Sequence, residues 1–335
     1  MKKSLAYLVG GVALLLVLSV CVLYARGQKT VQQPGPLSAY QQLEKKWEDA
    51  FDRSPDGAYG EFMKEANPLS YDEAHKLAHV IGGILYKKFG MQGIQKCTQD
   101  FAYGCYHGFA GAALSARGLS GTNDLRDACN GAGDSMIAFG CIHGIGHGIL
   151  AYLGNEKLSQ ALEACASVNN GQTIGGCYGG VFMEYNYNTM QSADGIKLRP
   201  FDASAANEPC ATEVPEKFRG ACYYELPSWW KASLGEKDVS TKDQYRVVGG
   251  LCAVITDSAL RDTCFRGIGN TIGPGSGYES ATMRDWCSVM PTAPDRDACL
   301  HEALQHLLQS DAGKAQLRAL CTSGQISYGN LCGAR

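Results

Sequence analysis

The stretch CNGAGDSMIAFGCIHGIGHG, residues 129–148, contains two features from which the fold and a site can be predicted. It places two cysteines twelve residues apart, and it then places two histidines four residues apart among glycines. The cysteine spacing recurs along the chain. The stretch is therefore one copy of a repeated unit, and its histidines have to be interpreted within that unit.

The cysteines that follow residue 96 are periodic. Taken in order they form seven pairs, of which five are separated by twelve residues, the first by eight and the last by eleven. The first members of the pairs recur every 32 to 45 residues, which is the period of helical-hairpin repeats. The pairs are Cys97 with Cys105, Cys129 with Cys141, Cys165 with Cys177, Cys210 with Cys222, Cys252 with Cys264, Cys287 with Cys299, and Cys321 with Cys332.

The flanks of each pair predict two short helices. A helix-compatible stretch such as NEKLSQALEAC ends at Cys165, and helix-start residues such as Asp257 or Pro294 precede the second cysteines. If the two cysteines of each unit pair with each other, every unit has the same disulfide, and no other pairing gives this regularity. We therefore expect disulfides that join the two helices of each αα-hairpin, and each should stabilise the folded state by about 3 kcal/mol. Zinc is the competing interpretation, but the chain has no C-x2-C pair.

The segment KCTQDFAYGC, residues 96–105, resembles the cysteine-rich secreted relatives of tetratricopeptide repeats, in which bridged cysteines enclose a short turn. The resemblance is architectural and covers residues 97 to 332. It implies an all-α hairpin fold. Because such families are mostly protein-binding scaffolds, it also implies a binding role, and it assigns no functional residue.

We therefore predict an all-α fold, a disulfide-stapled αα-hairpin repeat solenoid with an N-terminal transmembrane helix. Residues 1–26 are expected to be a membrane anchor, with a cleaved signal peptide as the alternative. Residues 27–37 form a linker, residues 38–69 a helical lead-in and residues 70–335 the helical-hairpin repeat domain.

The anchor prediction rests on the run from Leu5 to Tyr24, which is apolar, uncharged and long enough to cross a bilayer as a helix. Lys2 and Lys3 favour the cytoplasmic side, so the repeat domain is expected outside the cytoplasm, periplasmic or extracellular. The oxidising environment there suits the cysteines. A formal charge of -3 gives no basic field, so no nucleic-acid partner is expected.

The histidines follow the same repeat. Aligning the second helices on their cysteines gives CYHGFAGA, CIHGIGHG and CLHEALQH, and EAHKLAHV fits the frame with Glu73 in the cysteine position. At about 100° per residue, the histidines of CYHGFAGA and CIHGIGHG point away from the first helix, towards a groove wall or solvent. All seven histidines lie in these windows: His75, His79, His107, His143, His147, His301 and His306.

Two of the windows contain histidines four residues apart, a spacing that lets one helix face hold a metal ion. Two sites, or one site formed by His107 with one pair, are easier to build than a five-histidine cage. Glu184 points back towards the hairpin core, where it is an oxygen ligand, a weak candidate base or the holder of a neighbouring group. The candidate ligands of zinc, copper or iron are His75, His79, His107, His143, His147 and Glu184.

Aromatic residues concentrate in the middle repeats, where they suit either core packing or a groove for a partner. The candidate groove residues are Tyr178, Tyr224, Trp229 and Trp230. Three functions remain open. The first is a membrane-anchored scaffold that binds an envelope protein, peptide or glycan in a concave groove and carries a histidine-lined metal site. The second is a metalloenzyme or dedicated metal-binding protein that uses the two H-x3-H pairs, and the third is a structural spacer.

Overall fold

Every regular element in the described part of the chain is helical, as the hairpin repeat predicts. The computed structural model describes residues 38–132, 135–190, 197–235 and 239–333. The predicted anchor and linker lie outside these residues. From Leu43 onward the chain forms one compact unit.

Fifteen α-helices are present in the described residues. They are α1 Ala39–Arg53, α2 Ala58–Ala66, α3 Tyr71–Phe89, α4 Gly104–Arg117, α5 Thr122–Asn130, α6 Ser135–Leu153, α7 Leu158–Ala166, α8 Gly176–Tyr187, α9 Arg219–Leu234, α10 Thr241–Ala253, α11 Ser258–Gly275, α12 Ser280–Cys287, α13 Ala293–Gln305, α14 Asp311–Thr322 and α15 Gly329–Cys332. Short 3₁₀ turns connect several of them, at Gly90–Lys96, Gly118–Gly121, Asn155–Lys157, Ala203–Ala205, Glu216–Phe218 and His306–Gln309.

Seven disulfides pair as predicted, each within its own unit. Their Cα–Cα distances lie between 5.4 and 5.7 Å, within the usual range. The prediction of stapled αα-hairpins is confirmed. The bridges join Cys97 to Cys105, Cys129 to Cys141, Cys165 to Cys177, Cys210 to Cys222, Cys252 to Cys264, Cys287 to Cys299, and Cys321 to Cys332.

The second cysteine of a unit lies near the start of the second helix. Cys105 and Cys177 are the second residues of α4 and α8, and Cys222 is the fourth residue of α9. Cys264 and Cys299 lie in the second turns of α11 and α13. The bridge therefore fixes the first turns of each second helix against the end of the preceding segment. All five of these cysteines are buried, so their sulfurs serve the bridges and the core, and no thiol remains among them as a metal ligand.

Side-chain caps explain where several second helices begin. The Asp257 carboxylate accepts hydrogen bonds from the backbone amides of Ala259 and Leu260 in the first turn of α11. A capping box of Thr292 and Asp295, with a proline in the first turn, opens α13, and another of Ser70 and Glu73 opens α3. These residues satisfy amides that the helix itself leaves unpaired, so each helix start is fixed locally.

The second helices pack on one another in chain order: α3, α4, α6, α8, α9, α11 and α13. Neighbouring second helices approach closely because glycines on one helix face backbone atoms of the other. A β-carbon at Gly108 would lie 1.9 Å from the carbonyl oxygen of His79, and one at Gly180 would lie 1.9 Å from that of His143. Gly108 and Gly180 each lie three residues after the second cysteine of their unit, so glycine at this position of the repeat serves close helix packing.

Helix α6 is the one described helix that is long and apolar enough to cross a membrane by length and composition. It is mostly buried between α4 and α8 and carries a disulfide. A central helix of a folded core passes the same test of length and composition. We therefore treat α6 as a core helix.

Replacing Gly180 by alanine is expected to destabilise the protein by about 1–3 kcal/mol, because its methyl group would overlap the backbone of α6. The measurement is the free energy of unfolding in denaturant with the disulfides intact. Gly250→Ala is the matched control. Gly250 is an exposed glycine of α10 with nothing within 4 Å of its β-position, so this change should stabilise by up to about 1 kcal/mol. Equal effects of the two changes would contradict close helix approach at Gly180.

Candidate metal centre

Five of the seven histidines meet where α3, α4 and α6 pack together. His75 and His79 lie on α3, His107 lies on α4, and His143 and His147 lie on α6. The ring centroid of His107 lies 5.3 and 5.4 Å from those of the α3 pair, and 5.4 and 4.8 Å from those of the α6 pair. The rings form two groups of three that share His107, and within each group the ligand atoms lie within 4.8 Å of one another.

Within each pair the Nε2 atoms face each other. The two Nε2 atoms are 3.0 Å apart in His75 and His79, and 3.2 Å apart in His143 and His147. Two nitrogens bound to one tetrahedral metal ion would be about 3.3 Å apart, given metal–nitrogen bonds of about 2.0–2.1 Å. The pairs are therefore spaced close to what a shared ion requires.

The Nδ1 atom of His75 is held by backbone. It donates to the carbonyl oxygen of Phe101 over 2.6 Å, which makes Nε2 the lone-pair nitrogen of the neutral ring. Phe101, Ala102 and Tyr103 all have left-handed backbone, with φ of 52°, 50° and 61°. This conformation costs roughly 1–2 kcal/mol per residue. The turn before α4 is thus strained at the point where it orients a ring of the cluster.

The Nδ1 atom of His147 is held by a carboxylate. It donates to Glu184 on α8 over 3.0 Å, and Glu184 is 0% exposed. The same carboxylate accepts the Thr189 hydroxyl at 2.6 Å and the Met190 amide at 2.9 Å. Glu184 therefore lies behind the His147 ring, where it holds a neighbouring group, as the sequence allowed. Carboxylates in this position orient metal-binding histidines and raise their basicity.

His107 lies at the centre of the cluster. Its side chain is 4% exposed, its ring stacks on that of His147 at an interplanar angle of 27°, and its Nδ1 has no hydrogen-bond partner among the described residues. A buried nitrogen without a partner costs about 1–3 kcal/mol. The sequence predicted that His107, His143 and His147 face a groove wall or solvent. Instead, they lie between successive second helices, because those helices pack too closely to leave a groove there.

Burial keeps three of the five rings uncharged. Desolvation, followed by neighbouring histidines, holds the pKa of His79 and of His107 well below the usual value. Desolvation and His147 lower the pKa of His143 to about 3, against the opposing effect of a hydrogen bond with the backbone of Gly176. Neutral imidazoles are the form that binds metal ions, so these rings have lone pairs available at neutral pH.

The remaining two histidines lie in the last repeats, outside the cluster. His306 bonds Asn270 through Nε2 at 3.0 Å, and His301 bonds Asn330 and packs against Tyr328. The sequence analysis placed both in aligned windows but left them out of the candidate metal ligands. Their neighbours are amides and a tyrosine, so they have ordinary packing partners.

The four aromatic groove candidates are buried. Trp229 and Trp230 are 0% exposed, and their indole N–H groups donate to backbone carbonyl oxygens. Tyr224 is also buried and donates to Glu302, and Tyr178 packs against Phe218. These residues stabilise the core in this structure, so they do not offer a partner a surface. The alternative of core packing fits all four.

Two second helices carry a glutamate three residues after the cysteine, where four others have glycine. The two glutamates, Glu225 and Glu302, have different surroundings. Glu302 on α13 accepts from Arg266 on α11 at 2.9 Å, which forms an interhelical salt bridge. Glu225 is 6% exposed, and desolvation raises its pKa to about 8. At neutral pH Glu225 is therefore largely protonated.

The metal-free protein is expected to lose stability as the pH falls from about 6.5 towards 3. His79, His107 and His143 have folded pKa values below the unfolded value of 6.5, so the unfolded chain binds protons that the folded chain does not. Their contribution is complete above pH 6.5 and is lost on acidification, at up to about 1.4 kcal/mol per pH unit for each ring. Denaturant unfolding of the metal-free protein from pH 7 to pH 4 measures this slope. His143→Gln should reduce it, and an unchanged slope would contradict a buried neutral ring at this position.

Comparisons with protein-family models, with curated proteins and with solved structures found no match to this chain. The chemistry of the cluster is therefore inferred from its own residues. The three imidazoles of each group bring their ligand atoms within 4.8 Å of one another and could together hold a transition-metal ion.

Proposed function

We propose that this chain is a membrane-anchored, extracytoplasmic helical-hairpin repeat protein that binds a transition-metal ion through the histidines of its N-terminal repeats. One observation carries the proposal: five imidazoles converge between three helices with their Nε2 atoms facing in pairs. Zinc, copper and iron all accept imidazole ligands.

Packing alone explains this arrangement less well than a bound cation does. A buried histidine that serves only packing has its ring nitrogens satisfied by hydrogen bonds. Here one hydrogen bond satisfies the two Nε2 atoms of each pair, but the buried Nδ1 of His107 has no partner among the described residues. A metal ion would satisfy the converging nitrogens together.

The group formed by His107, His143 and His147 is the better prepared of the two. Glu184 fixes the His147 ring with Nδ1 protonated and places a negative charge beside the site, which favours a cation. The group that contains His75 and His79 has a backbone carbonyl in the corresponding role. Three imidazoles leave further coordination positions for water or a fourth donor.

The metalloenzyme alternative has less support. Glu184, the carboxylate considered as a base, accepts hydrogen bonds from His147, Thr189 and the Met190 amide. Both of its oxygens are engaged in holding the site together. We therefore propose binding of the metal ion as the function, with no reaction assigned.

The compartment and the scaffold are the other parts of the proposal. Seven disulfides indicate an oxidising, extracytoplasmic environment. Two lysines followed by the apolar run of residues 5–24 support an anchor in the membrane. Consecutive packing of the second helices supports a solenoid. On that scaffold we propose a surface for an envelope protein, peptide or glycan, formed by residues other than the four buried aromatics.

The protein purified without a polyhistidine tag is expected to bind a transition-metal ion. The double variant that combines His143→Ala with His147→Ala should bind it on the order of 100-fold more weakly, because the two changes remove ligands that one helix supplies. Elemental analysis after dialysis measures the metal content, and competition with a chelator measures the metal affinity.

The matched control combines His301→Ala with His306→Ala and removes the two histidines outside the cluster. This control should retain the metal content of the unchanged protein. Metal binding that is equal in both double variants would contradict the proposed site, as would an unchanged protein that binds none.

The full chain is expected to remain in the membrane fraction after an alkaline carbonate wash. Replacing residues 1–26 by a cleaved signal peptide should release a soluble, disulfide-bonded protein outside the cytoplasm. The measurement is immunoblotting of the fractions with and without reductant. A full chain that is found in the soluble fraction after export would show a cleaved signal peptide instead of an anchor.

A further inference from the structure

The chain beyond α8 folds back over the carboxylate that holds His147. The Thr189 hydroxyl donates to Glu184 Oε2 at 2.6 Å, and the Met190 amide donates to Glu184 Oε1 at 2.9 Å. The Thr189 hydroxyl also lies 3.3 Å from the Nδ1 of His147. The backbone of Met190 is thereby fixed beside the cluster through hydrogen bonds to one buried side chain.

The side chain of Met190 reaches the histidine-bearing face of α4. A β-carbon at Gly111 would lie 2.2 Å from the Met190 Cε atom and 4.0 Å from its Sδ atom. Gly111 follows His107 by four residues, so both lie on one face of α4. The Met190 thioether therefore occupies the space that a side chain at position 111 would fill. That position is one helical turn from His107.

The alignment of the second helices shows which residues flank that space. His79 on α3, Gly111 on α4 and His147 on α6 occupy the same position of their aligned second helices, six residues after the cysteine position. These helices pack in the order α3, α4, α6. Of these three equivalent positions, the middle one is Gly111, which has no side chain. Met190, in the segment after α8, places its thioether in that space.

We propose that Met190 is a ligand of the metal centre, completing the group of His107, His143 and His147, and that the ion is copper in its Cu(I) state. The inference rests on the proposed function. A thioether is a soft donor that Cu(I) accepts readily, whereas Zn(II) and iron sites of this kind are built from imidazole and oxygen donors. Three imidazoles and one thioether then form a four-coordinate site with a single soft ligand.

Methionine also fills irregular gaps in cores, which is the alternative role for Met190. The two roles predict different responses to the same change. Leucine has nearly the volume of methionine and no sulfur, so Met190→Leu preserves packing and removes the donor. A ligand role affects Cu(I) and leaves Zn(II) almost unchanged, while a packing role affects both or neither.

The test uses the full chain in detergent, without a polyhistidine tag and with its disulfides intact. Cu(I) affinity is measured anaerobically by competition with a chromogenic Cu(I) chelator in ascorbate, and Zn(II) affinity by a zinc chelator. Met190→Leu should weaken Cu(I) binding by on the order of 10-fold or more and change Zn(II) binding much less. X-ray absorption at the copper edge should show a copper–sulfur shell that the variant lacks.

Met283→Leu is the matched control, because it exchanges a fully buried methionine of α12 in the C-terminal repeats. It should leave both affinities and the sulfur shell unchanged. Metal binding by the unchanged protein with no sulfur shell, or with equal Cu(I) affinity in Met190→Leu, would overturn the inference and leave the histidine site standing. An unchanged protein that binds neither ion would overturn the proposed function and this inference together.

Discussion

The close approach of successive second helices is the constraint on which the rest of this structure depends. At Gly108 and Gly180 the preceding second helix places a backbone carbonyl where a side chain would otherwise lie, and those carbonyls belong to His79 and His143. Each glycine costs a helix up to about 1 kcal/mol relative to alanine. The contact that results brings rings on neighbouring helices within reach of one another, so packing and the histidine cluster have one cause.

The disulfides make such glycine-rich helices tolerable. Each bridge closes a loop of about a dozen residues and limits the unfolded chain, which compensates for weak helix propensity. On this common frame the repeats carry different chemistry. The N-terminal units gather imidazoles, whereas the C-terminal units place Arg266, Glu302 and Tyr224 in a salt-linked and hydrogen-bonded group. Equivalent positions of the repeat thus carry a histidine cluster in the N-terminal units and an arginine–glutamate ion pair in later units.

The hairpins and the disulfides could be predicted from the sequence because the same cysteine spacing recurs in the units, and equivalent units are expected to fold and pair in the same way. It also identified His143 and His147 as a pair, since helix geometry fixes their spacing. It did not predict their burial, because the distance between helices depends on backbone contacts at Gly180 that spacing alone does not show. Trp229 has no sequence feature that separates a core aromatic from a groove aromatic. Met190 lies in an irregular segment, where neither periodicity nor alignment applies.

The near-complete burial of His147, 1% exposed, has a kinetic consequence. Under the proposed function, an ion bound beside this ring would be enclosed on the His147 side, so its departure would depend on how often α4, α6 and the segment at Met190 part from one another. The bridge between Cys129 and Cys141 ties α6 to its own hairpin and would oppose that opening. The residence time of a bound ion and the integrity of the disulfides would therefore be coupled.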